Sequence, residues 1–162
     1  MCYRVVAAVL GSALGLIGMS GATIAGSIGR YDCIIVGTIV QEPVGDRDGH
    51  QIVSFEYTCR GLDGLLKDAG TTAISVSEWD GQKGKYIASV GLHRAPGGFA
   101  VGQLVEGSSS VAMTSDKAAS IEASGTTVFK FASGTLAAIS GKTAKFTARP
   151  TGPGRFEIEF TD

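Results

Sequence analysis

Cys33-Ile34-Ile35-Val36-Gly37-Thr38-Ile39-Val40 and Gln51-Ile52-Val53-Ser54-Phe55-Glu56-Tyr57-Thr58-Cys59 are the two stretches whose pairing decides the fold. The first is a β-branched run, and the second alternates polar with apolar side chains, so both read as strands. Gly45-Asp46-Arg47-Asp48-Gly49 between them has the composition of a turn. Position 46 is the midpoint of 33 and 59, so a hairpin folded about that turn sets Cys33 opposite Cys59 at its open end. Directly opposed strand residues lie within reach of a disulfide. We therefore expect a structural Cys33–Cys59 bond. A redox or metal-binding pair would need a CxxC or histidines at zinc spacing, and the sequence has neither.

The same pattern continues downstream. Thr71–Trp79, Lys85–Leu92, Phe99–Val105, Thr126–Phe131, Lys142–Arg149 and Arg155–Phe160 read as strands. Asp80-Gly81-Gln82-Lys83-Gly84, His93-Arg94-Ala95-Pro96-Gly97-Gly98, Glu106-Gly107-Ser108 and Pro150-Thr151-Gly152-Pro153-Gly154 read as turns. Arg60–Gly70 breaks the pattern and has room for one helical turn, and Ser109–Ala123 has no clear period. Eight or nine short strands with no long helical segment predict an all-β domain. The expected architecture is an antiparallel barrel of about eight strands, with a β-sandwich as the alternative. Glycines inside strands favour the curvature of a barrel.

The N-terminus reads as an address. Met1-Cys2-Tyr3-Arg4 carries one positive charge, Val5–Gly18 is apolar, and the small residues Ser20-Gly21-Ala22 and Thr23-Ile24-Ala25 follow. This is the order of a secretory signal, with cleavage after Ala22 or Ala25. Residues 1–25 are thus expected to be an apolar signal helix and 26–162 a single exported domain, periplasmic or secreted. The alternative is an uncleaved membrane anchor, because no charge falls between Arg4 and Arg30. The second half of that stretch is Gly, Ser, Thr and Ala, which favours the signal. Cys2 leaves with it, and the even pair Cys33 and Cys59 suits an oxidising compartment.

Charge excludes some partners. The net charge is -1, acids and bases interleave, and no run of five like charges occurs, so no nucleic-acid partner is expected. A membrane is a partner only if the N-terminal segment is retained. Ser140-Gly141-Lys142-Thr143 ends like a phosphate-binding loop, but Leu136 stands where its first glycine belongs and a strand follows. Asp46-Arg47-Asp48-Gly49 starts like a calcium loop but lacks the later ligands. We expect no metal and no cofactor.

Ligand contacts are sought at strand ends, which line the mouth of a barrel. Trp79, Tyr86, His93, Arg94 and Phe99 are the candidates. His93 with Arg94 could bind an anion or move a proton, although the plainer reading of His93 is a surface turn. His50 abuts the first turn and reads as exposed. No catalytic constellation stands out in the sequence, and none of its serines sits in a nucleophile elbow.

Ser133-Gly134-Thr135-Leu136-Ala137-Ala138-Ile139-Ser140-Gly141-Lys142 resembles the glycine-rich connector between two late strands of allene oxide cyclase-like and dirigent-like β-barrels. Gly134, Ile139 and Gly141 match that connector, and Leu136 matches its large apolar position. Ala138 and Thr143 depart from it where the family prefers glycine. The resemblance implies an eight-stranded antiparallel barrel with an apolar cavity. It carries over no catalytic residue, because such barrels include cyclases, stereochemistry-directing proteins without a catalytic centre, and exported proteins of other roles. The expected function is an exported barrel that binds a small apolar ligand or acts as a non-catalytic interaction module. A cyclase-type enzyme is one alternative, in which His93, Arg94 and Glu78 would be substituted first. A structural protein held by an uncleaved N-terminal anchor is the other.

Overall fold

The structure is a computed structural model, which describes residues 26–113 and 119–162. The expected signal segment, residues 1–25, lies outside the described residues. Eight antiparallel strands follow one another: β1 (Ser27–Pro43), β2 (His50–Gly61), β3 (Gly70–Asp80), β4 (Lys83–Ala95), β5 (Gly98–Met113), β6 (Ala119–Gly134), β7 (Thr143–Gly152) and β8 (Arg155–Thr161). Each pairs with its neighbour in sequence, and β1 pairs with β8, which closes the sheet into a barrel. Closure rules out the sandwich. Among the described residues no helix is long and apolar enough to cross a membrane.

The expected first hairpin is formed. Cys33 faces Cys59 across β1 and β2, and their sulfurs are bonded. Both cysteines point into the barrel and are almost fully buried.

Several strands run further than their sequences suggest, and bulges explain why. A bulge inserts a residue without ending the ladder, and it reverses which parity faces inward. On β4 the register shifts so that Val76 pairs Ala88 while Ser77 pairs Tyr86, leaving Ile87 as the extra residue. Tyr86 therefore points inward on one side of the bulge, and Ser89, Gly91 and His93 on the other. The expected turn at His93–Gly98 shrinks to Pro96-Gly97, because β4 continues to Ala95. The expected turn at Glu106–Ser108 is likewise a bulge inside β5, at Leu104/Glu106. On β6, Lys130 is the extra residue between Phe131, paired with Val101, and Phe129, paired with Gly102. Phe129 is fully buried, whereas Phe131 lies 66% exposed on the outer wall.

One end of the barrel is sealed. After β2 a 3-10 turn (Gly64–Leu66) tucks Leu66 under the wall, and after β6 a second one (Ala137–Ile139) does the same with Ile139. Leu66, Leu136 and Ile139 are each 0% exposed and plug the floor. The plug demands Gly134: its φ is +58°, and a Cβ there would stand 1.8 Å from the Gly97 carbonyl oxygen. The connector singled out in the sequence is thus the hydrophobic stopper of the barrel floor. Its Gly141-Lys142 pair exchanges backbone hydrogen bonds with Phe129, which ties the stopper to β6.

At the opposite end, the Gly45–Gly49 turn folds over His50. This side chain is buried rather than exposed, at 8%, because Asp46 and Glu78 each hydrogen-bond one of its ring nitrogens. Arg47 reaches Asp80 on β3 at 3.0 Å, so the turn is strapped to its neighbour. The hydrogen bonds to Asp46 and then Glu78 raise the His50 pKa, and the His50 hydrogen bond lowers that of Asp46. A histidine pKa raised on folding contributes stability below its unfolded value of about 6.5 and loses it as pH climbs through the folded value. The Asp46 contribution is present above about 4 and is lost as pH falls through its lowered folded value. We expect the melting temperature of the native chain to drop on going from mildly acidic to alkaline buffer by more than that of His50→Gln. Equal slopes would show that the clamp does not titrate.

Candidate functional site

The interior of the barrel is one stack of chambers. The mouth is a cavity of about 460 Å³, walled by Trp79, Val53, Ile121 and Pro150 among others. Below it lies a chamber of about 60 Å³, and at the floor another of about 40 Å³. Phe55 and Ala148 belong to the walls of both the mouth and the middle chamber. Tyr57 and Thr127 belong to both the middle and the floor chamber, so each chamber adjoins the next. Aromatic rings and hydroxyls make up much of the inner wall. None of the residues lining the two inner chambers is Lys, Arg, Asp or Glu.

In the middle chamber two of the hydroxyls pair, whereas Ser109 Oγ at the mouth is buried without a partner. Ser75 donates to Ser89 at 2.9 Å, beside the Tyr57 phenol. Burial raises the Tyr57 pKa and pushes Tyr86 up to about 12, so both phenols stay neutral. The wall of the two inner chambers carries no charged side chain and mixes aromatic rings with hydroxyls.

His93 sits at the floor, 4% exposed. The plainer sequence reading, a surface turn, is corrected: the bulge at Ile87 sets the parity that turns this side chain inward. Its Nδ1 lies 2.9 Å from the Tyr31 hydroxyl and 2.8 Å from Thr71 Oγ1. Phe129 and Phe160 meet the imidazole edge-on, with ring centroids 5.5 and 6.4 Å away. Burial lowers the His93 pKa to about 4 and raises that of Tyr31 to about 12, so the pair is neutral. Tyr31 and Thr71 carry no signal in the sequence as site residues. Only the register, which sets Thr71 opposite His93, brings them in.

The five candidates divide between the two faces of the wall. Trp79, Tyr86 and His93 point into the barrel at mouth, middle and floor. The Trp79 indole donates to Ser77 Oγ at 2.9 Å and lies over Gly84, where a Cβ would collide with the ring. Arg94 and Phe99 face outward and share a shallow groove on the outer wall with Leu92 and Ser133. An Arg94–His93 anion site therefore does not form, because neighbouring strand residues face opposite sides. Glu78 is also outside, at the rim, engaged with His50. Among the described residues no cluster of His, Cys, Asp or Glu could hold a metal ion.

No family model, curated protein or solved structure matches this chain. Its function is therefore argued from the site alone.

Proposed function

We propose that the chain is an exported protein whose barrel takes up a small, predominantly apolar and uncharged molecule through the mouth. The single observation that carries this reading is the row of adjoining chambers inside the barrel. It leads from an open, largely apolar vestibule to a sealed floor and has no charged side chain along its two inner chambers. A ligand site of this kind is concave, mostly apolar, and supplied with a few polar groups. The signal-like N-terminus and the buried Cys33–Cys59 bond favour an oxidising, exported setting. The likeness of the Gly134–Gly141 connector to allene oxide cyclase-like and dirigent-like barrels fits the same picture.

A variant that blocks the passage tests it. Ala148 lines both the mouth and the middle chamber, so an indole there fills the neck between them. Binding of a fluorescent phenylnaphthylamine probe to Ala148→Trp is expected to weaken on the order of tenfold, the equivalent of about 1.4 kcal/mol. An unchanged affinity would place the probe on the outer wall and remove the reading.

A further inference from the structure

We propose that His93 Nε2 is the anchor for one oxygen atom of the bound molecule, so that the barrel takes an uncharged chain with a carbonyl or hydroxyl at its leading end. This rests on the interior-binding reading above and adds the chemical class of the ligand and its direction of entry.

The two nitrogens of the imidazole have different surroundings. Nδ1 faces two hydroxyls, Tyr31 and Thr71. In this proposal the buried Tyr31 phenol donates to Nδ1. A neutral imidazole that accepts at Nδ1 carries its proton on Nε2. Nε2 makes no hydrogen bond with the protein among the described residues, and within a side chain more than nine-tenths buried it opens on the floor chamber rather than being sealed in protein. An N–H that opens on so small a chamber is satisfied by a polar atom inside it, and a ligand oxygen there makes a hydrogen bond.

The space in front of Nε2 is made by missing side chains. A Cβ on Gly102 would stand 2.9 Å from Nε2, and one on Gly91 would stand 3.5 Å from it. These glycines hold open the floor chamber of about 40 Å³, which admits the end of a linear molecule rather than a ring system. No cation lines the inner chambers, so a carboxylate would arrive without a counter-charge. An uncharged acceptor oxygen fits the donor, the volume and the electrostatics together. From His93 to the rim at Lys83 is ten residues of β4, about 25 Å along the barrel axis for tilted strands. An alkyl tail thus trails back through the aromatic middle chamber toward the mouth.

The test compares methyl undecyl ketone, tridecane and tridecanoate by displacement of the phenylnaphthylamine probe, with nitrogen NMR of the imidazole read in parallel on the native protein. The ketone is expected to bind roughly three- to tenfold more tightly than the alkane, the range of one net hydrogen bond. Tridecanoate should be the weakest at neutral pH. The His93 nitrogens should report a neutral ring protonated on Nε2, whose resonance moves with ketone and stays put with alkane. Gly102→Ala, which fills the space before Nε2, and His93→Phe should each abolish the ketone's advantage while leaving alkane binding in place. Ketone and alkane binding alike with no change at Nε2 would overturn the anchor and leave the interior-binding reading standing. Tighter binding of tridecanoate would overturn the uncharged class. Failure of every ligand to displace a probe that Ala148→Trp does exclude would overturn the linear-chain class and the anchor, again sparing the interior. A probe insensitive to Ala148→Trp would remove the interior reading and the anchor with it.

Discussion

Reducing the Cys33–Cys59 bond is expected to cost the barrel about 3.5 kcal/mol, the loop-closure entropy of a 26-residue separation. Spread over a domain of this size, that loss lowers the melting temperature by about 10 °C. The bond joins β1 to β2 just above the floor, where β1 also completes the barrel by pairing with β8. In the oxidised unfolded chain, the bond keeps the ends of the first hairpin together. In the reduced chain, β1 must find both neighbours through the full conformational search. The bond is buried, so reductant reaches it only through opening of the wall. The measurement is chemical denaturation of the oxidised protein beside Cys33→Ser/Cys59→Ser. A difference well below 1 kcal/mol would mean that the pairing of β1 with β2 persists in the unfolded chain without the covalent link.

That bond was also the most legible feature of the sequence, for a definite reason. Pairs beside the turn, such as Pro43 with Gln51, centre on position 47, and the register shift between Val36 and Val40 moves the centre of the lower pairs to 46, the midpoint of 33 and 59, so the rule lands on the correct partners. Above Val36 the register shifts, and the same rule would misplace every pair up to the turn. The all-β class and the approximate strand number were legible because β-branched runs and glycine-rich turns alternate along the domain, whereas closure was not, since the same alternation suits a sandwich and only the pairing of β1 with β8 decides it. The sealed floor was half legible: Leu136, Ile139 and their flanking glycines stood out as a connector, but nothing local says that it folds under the barrel.

The site was less legible because it depends on parity. Trp79, Tyr86 and His93, read as strand-end candidates, all face the interior, but only Tyr86 and His93 do so together through the bulge at Ile87, while Trp79 follows the unbroken register of β3. Arg94 and Phe99 were chosen by the same argument, and they face outward because each is the immediate neighbour of an inward residue, His93 and Ala100. His50 was read as exposed from its place beside a turn, and the charges of that turn cover it. Tyr31 and Thr71 are 40 residues apart and become a pair only across closed strands.

The sharpest test of that parity is a pair of substitutions two positions apart. Phe129→Ala is expected to cost about 4 kcal/mol, the range for a buried phenylalanine whose cavity cannot collapse. Phe129 is 0% exposed, packs its ring 5.8 Å from Phe160 and 5.5 Å from His93, and stands on the floor plug. Phe131→Ala removes the same side chain from the outer wall and is expected to stay within about 0.5 kcal/mol of the native chain. In an unbroken strand, residues two apart share a face, and the two substitutions would behave alike. The contrast therefore measures the bulge at Lys130 directly. Equal costs in denaturant unfolding would mean that Phe129 and Phe131 face the same way. The ring that backs His93 would then be misplaced, and the floor chamber with it. A large cost at Phe129 alone confirms the wall against which His93 is set. It should also leave a wider floor chamber, in which the ketone's bulk is less restricted while the Nε2 donor is unchanged.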